Sequence, residues 1–110
     1  MKINNIKNFK GGWLVGNFQP SLFQTETNDI GVLFLKAGES GDGHYHLNHI
    51  EYNIILLGKA IVDGNELIGG DIFVYERGDK SYVTYLEDTI LLVIKEPATK
   101  NDKYYDTNIT

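Results

Sequence analysis

A chain of 110 residues and 12.4 kDa without cysteine reads as one small domain held by an apolar core alone, because disulfides, thiolate zinc sites and cysteine nucleophiles are excluded. Ten basic against fifteen acidic residues give a net charge of −5 with no Lys/Arg stripe, so nucleic acid is an unsuitable partner, and the missing cysteines make a reducing cytoplasm the expected compartment. The longest aliphatic run, Ile90 to Ile94, is too short to cross a bilayer, and the polar start MKINNIKNFK lacks the apolar core of a secretion signal.

Residues 1–10 read as a peripheral segment. Trp13, Leu14 and Val15 then predict a short edge strand, ended by Gly16-Asn17 and a turn at Pro20-Ser21. The run from Ile30 to Lys36, IGVLFLK, is apolar on both faces and predicts a strand covered on two sides, stopped by Gly38. Asp42-Gly43 turns the chain again, and Glu51 to Leu57 forms the next strand. Its alternation puts Glu51, Asn53, Ile55 and Leu57 on one face, with Tyr52, Ile54 and Leu56 on the other. If Glu51 faces an interior, the apolar opposite face needs a cover, either a second sheet or another subunit. A homodimer is expected partly on that ground.

Ala60–Val62 and Leu67-Ile68 flank Asp63-Gly64-Asn65, a composition that tolerates positive φ and predicts a tight hairpin. Strands follow at Ile72–Tyr75, Ser81–Tyr85 and Thr89–Lys95, separated by turns at Arg77-Gly78-Asp79 and Glu87-Asp88, and Pro97 closes the last. Residues 98–110 read as a second peripheral segment, with Tyr104 and Tyr105 packing back on the body. Asn108-Ile109-Thr110 fits a glycosylation sequon, discounted for want of a secretion signal. No stretch of helical periodicity stands out, and turn signals recur roughly every eight to twelve residues, the pattern of an all-β sandwich or barrel.

All three histidines, His44, His46 and His49, lie within six positions, with Glu51 just behind them. In an extended chain His44 and His46 point the same way and can converge on one centre. Two imidazoles and a carboxylate are a ligand set that Fe, Mn, Ni or Zn accepts. His49 falls in the loop before Glu51, where a solvent-exposed turn residue is expected. The carboxylates elsewhere fall mostly in turns and read as solvated.

Spelled out, the stretch is Gly38, five residues, His44, one residue, His46, four residues, Glu51, six residues, Gly58. That spacing resembles the first motif of the cupin superfamily throughout. The resemblance implies a cupin-type jelly-roll barrel, the double-stranded β-helix, in which His44, His46 and Glu51 point inward and hold a divalent metal. Of the second cupin motif, Gly70 and Gly78 keep their places. Glu76 stands for the usual proline, Ser81 for the usual fourth-ligand histidine and Tyr85 for the usual asparagine, so that ligand is missing.

The resemblance leaves substrate, reaction and catalytic residues unassigned. One reading is a metal held by His44, His46 and Glu51 with up to three positions open, as in a facial triad. A second is a metal-free sugar-nucleotide isomerase or epimerase, with His44 or His46 as base and Tyr75, Tyr82 or Tyr85 as acid, although Arg77 is the sole arginine available for phosphates. A third is a non-catalytic module that binds a small molecule. His49, Tyr75, Ser81, Tyr82 and Tyr85 complete the expected pocket.

Overall fold

The computed structural model describes residues 1–105, so the sequon at Asn108 lies outside the described residues. Nine strands follow two 3-10 turns near the start: β1 (Trp13–Gly16), β2 (Phe23–Gln24), β3 (Asp29–Leu35), β4 (Ile50–Leu57), β5 (Lys59–Val62), β6 (Asn65–Ile68), β7 (Ile72–Tyr75), β8 (Val83–Tyr85) and β9 (Thr89–Glu96). They form a six-stranded sheet in the order β2-β1-β3-β9-β4-β7 and a three-stranded sheet in the order β6-β5-β8. The expected all-β jelly roll is present as two packed sheets. Among the described residues no ladder closes them into a continuous barrel.

The core lies between the sheets. Ile55, Leu91 and Val93 from the larger sheet meet Ala60, Val62 and Val83 from the smaller one. Turn chemistry brings the second sheet over the first. The β5–β6 hairpin closes through a two-residue turn, Asp63-Gly64, with φ of 47° and 81°, and Asn65 Nδ2 donates back to the Val62 carbonyl. Gly58, the last residue of the cupin-like spacing, has φ of 109°, and a Cβ there would sit 2.4 Å from Thr89 Oγ1 and 2.6 Å from the Asp88 carbonyl oxygen. Only glycine permits that approach of β4 to the start of β9.

Two sequence expectations need correction. β1 is not an edge strand, because β2 pairs with it in parallel at Val15↔Phe23 and Gly16↔Gln24. A two-residue strand is too short for alternation to reveal. Leu57 does not share the Glu51 face either. The β4–β9 register slips between Ile55 and Leu57, which places Leu57 opposite Ile90 and leaves it exposed. A bulge adds one residue to the count and reverses the face of whatever follows.

Register fixes the two faces of the larger sheet. On the inner face one row across four strands reads Asp29, Lys95, Glu51, Tyr75, and the next reads Gly31, Val93, Asn53, Phe73. On the outer face the rows read Ile30, Ile94, Tyr52, Val74 and then Val32, Leu92, Ile54, Ile72. All the functional chemistry described below belongs to the first inner row and the loops beside it.

Candidate metal centre

The segment His44–Tyr45–His46 is extended and clamped on both sides. Tyr45 exchanges backbone hydrogen bonds with Tyr104, at 2.8 and 2.9 Å, and its ring stacks on that of Tyr104. On the other side Ser81 N–H donates to the His44 carbonyl at 2.9 Å and Gly78 N–H to the His46 carbonyl at 2.7 Å. Alternation then turns both imidazoles the same way, with ring centroids 5.0 Å apart. Glu51 enters from the second position of β4.

His49 is not the exposed turn residue expected from its place in the chain. It is 1% exposed, and its ring centroid lies 4.2 Å from that of His46. The cause is Asp102, in the C-terminal segment that reads as peripheral, which is 5% exposed. Its carboxylate accepts hydrogen bonds from the Leu47 and Asn48 amides at 3.1 and 2.9 Å and from Asn48 Nδ2 at 3.1 Å. With its donors satisfied by one buried anion, the loop turns His49 inward while Leu47 and Asn48 stay exposed. The partner lies more than fifty residues away in sequence, so no local signal could announce it.

Each imidazole is held through Nδ1. His46 Nδ1–H donates to the Asp102 backbone carbonyl, and His49 Nδ1 lies 3.0 Å from Asp102 Oδ2 and 2.6 Å from Thr99 Oγ1. His44 Nδ1–H donates to Asp42 Oδ1 at 2.7 Å, a bond that lowers the Asp42 pKa below its usual value. In the neutral ring this leaves the lone pair on Nε2 in all three cases. His46 Nε2 then faces Glu51 Oε2 at 3.3 Å and His49 Nε2 faces the same oxygen at 3.7 Å. The ligand atoms of His46, His49 and Glu51 all lie within 4.8 Å of one another, and among the described residues His49 Nε2 has no hydrogen-bond partner.

Burial by itself would push the Glu51 carboxyl up. The His46 and His49 imidazoles beside it and the positive charge of Lys95 outweigh burial, and the carboxyl is held well below the usual carboxylate range. The site therefore presents an anionic oxygen and two imidazole nitrogens at one buried point, which fits a metal ion.

The sequence-derived set of His44, His46 and Glu51 is thus brought together in part. His46 and Glu51 meet, His49 joins them, and His44 stands beside His46 on the wall of a cavity of about 250 Å³ that also touches Trp13, Lys95 and Lys103. Ser81 is half-buried beside the His44 backbone, and its side chain adds no imidazole to the group. Tyr75 and Tyr85 face the core, where burial raises the Tyr75 phenol above its ordinary pKa and pushes the Tyr85 phenol up to about 12. Tyr82 is 49% exposed and lines a separate groove with Ser40 and Asp63. None of these three tyrosines lines the cavity over the histidines.

No family model matches the sequence, and no curated protein is significantly similar to it. Solved structures do match. An uncharacterized conserved protein with a double-stranded β-helix domain from Klebsiella pneumoniae aligns at 16% identity over 94% of this chain and 90% of that one, with a TM-score of 0.68. KdgF from Halomonas sp. aligns at 22% identity over 70% and 74% of the two chains, with a TM-score of 0.65. Oxalate decarboxylase from Bacillus subtilis, an enzyme with Mn(II) centres, aligns at 20% identity over 76% of this chain and 25% of its own length, with a TM-score of 0.66. The chain has the double-stranded β-helix fold of the cupins.

Proposed function

We propose that the chain is a metal-binding cupin that holds a divalent ion on His46, His49 and Glu51, with His44 adjacent, and uses the cavity beside it for a small molecule. The observation that carries this reading is the meeting of acceptors without a donor. Two Nε2 lone pairs and a carboxylate oxygen face one another in a buried space, an arrangement that costs energy unless a cation lies among them. A mixed nitrogen and oxygen set suits Fe, Mn, Ni or Zn, and the Mn(II) centres of the B. subtilis enzyme show that the fold carries such ions elsewhere. A bound ion would supply Lewis-acid chemistry toward an oxygen of the small molecule. His49 takes the part that Ser81 leaves unfilled.

The cavity size weighs against sugar nucleotides. About 250 Å³ lies below the roughly 300–1,000 Å³ typical of sites for drug-sized ligands, and Arg77 is exposed in a turn instead of lining the cavity. The test is elemental analysis of protein prepared without chelator from cultures supplemented with iron, manganese, nickel or zinc. One metal per chain is expected, falling well below that in His46→Ala and in His49→Ala. Wild-type protein with far less than one metal per chain would sink the idea.

We also propose that a second copy of the chain covers the outer face of the larger sheet. Two full apolar rows, extended by Phe34, Ile90 and Leu57, run across β3, β9, β4 and β7, and Phe34, Leu57 and Ile72 are each more than 60% exposed. Strand and residue spacings give these rows a footprint of roughly 400 Å². That suits the apolar core of a standard interface of about 800 Å² per partner, whose remainder is polar rim. The rows hold no charged residue, so an identical face is a suitable cover.

A further inference from the structure

Lys95 projects from the inner face of β9 toward the cavity over the histidines, directly opposite Glu51 on one neighbouring strand and Asp29 on the other. It forms no ion pair with either among the described residues, and Asp29 is engaged instead by the Thr99 amide at 3.4 Å. The Lys95 ammonium sits 4.6 Å from the centroid of the Trp13 ring. That platform depends on Gly31, where a Cβ would lie 2.6 Å from Trp13 Cε3, so the indole lies flat against the sheet and fixes the lysine by a cation–π contact. A second ammonium, Lys103, stands at the mouth and leans on Asp42 at 3.8 Å.

We propose that the cavity takes a small organic anion whose carboxylate pairs with Lys95 beside the metal that His46, His49 and Glu51 would hold. The proposal rests on the metal reading above for one of its two positive charges. In the chain alone, the Lys95 ammonium has the Glu51 and Asp29 carboxylates opposite it on the two neighbouring strands. A divalent ion that engages Glu51 takes up that carboxylate's charge and leaves Lys95 on the wall with Asp29 as its one remaining opposite carboxylate. Among the residues that line the space of about 250 Å³, Lys95 and Lys103 together with such an ion then outweigh Glu51, and the space admits a short acid and no nucleotide. Trp13, Leu33 and Val93 supply apolar wall for the remainder of the molecule.

The experiment uses butyrate and its neutral isostere butyramide as probes, titrated by calorimetry into metal-loaded and metal-free full-length chain, with metal content measured on the same samples. Butyrate binds the loaded protein and butyramide does not. Lys95→Met lowers butyrate affinity by roughly tenfold or more with metal content unchanged, and Lys95→Arg restores most of it. Equal binding of acid and amide, or unchanged butyrate affinity in a folded, metal-loaded Lys95→Met, overturns the anion site and leaves the metal site standing. Failure of the wild type to take up metal, with butyrate still bound in a Lys95-dependent way, overturns the metal reading and supports the anion site by itself.

Discussion

Leu91 and Leu92 are neighbours on β9 with opposite surroundings. Leu91 is 3% exposed and packs in the core opposite Ile55, whereas Leu92 stands in the outer row between Val32 and Ile54. The contrast extends over the whole of β3, β9, β4 and β7. Their inner face changes character within three rows, from Asp29, Lys95, Glu51 and Tyr75 to Leu33, Leu91 and Ile55, while their outer face stays apolar across both full rows. The inner face thus divides its length between chemistry at one end and cohesion at the other. Nothing charged interrupts the outer rows.

The strongest way to sharpen that division is to damage its cohesive end. Leu91→Ala removes a fully enclosed side chain and should cost about 2–5 kcal/mol in urea unfolding, with the number of metals per folded chain unchanged, since Leu91 lies two rows from Glu51. If metal uptake fell with stability in the folded variant, the two ends would not be separable.

How much of this is legible in sequence follows the range of the interactions. The eight longer strands follow from alternation and turn residues, which act between near neighbours, and the spacing from Gly38 to Gly58 announces both the cupin fold and an inward His46 and Glu51. His49 escapes such reading because its burial depends on Asp102 and Thr99, some fifty positions along the chain. Simple alternation puts Leu57 on the wrong face because a bulge leaves no mark in a hydrophobic pattern.

Asp102 offers the next largest effect. It fixes His46 through its backbone carbonyl, and His49 and the 47–48 amides through its carboxylate. Asp102→Ala keeps the first contact and loses the others. It should weaken metal binding about 10–100-fold in competition with a fluorescent chelator. Asp102→Asn, which can still accept from the loop amides but offers His49 no anion, should fall between. Equal affinity in all three proteins would mean that the tail covers the centre without orienting it.

The outer face gives the mildest expected change within each chain. Leu92 is only partly buried in the single chain and faces away from the core, so Leu92→Glu should leave the fold and the metal content close to wild type. Against a second copy the same change sets two carboxylates in an apolar contact, where each would be desolvated without a partner. Sedimentation equilibrium should then show a dimer for wild type and a monomer for Leu92→Glu, whereas Glu96→Lys, at the polar end of the same face, should stay dimeric. A wild-type monomer would overturn the proposed cover, and a dimer that survives Leu92→Glu would place the contact elsewhere. Either result would leave Leu92, unlike its neighbour Leu91, without a contact that accounts for an apolar side chain on that face.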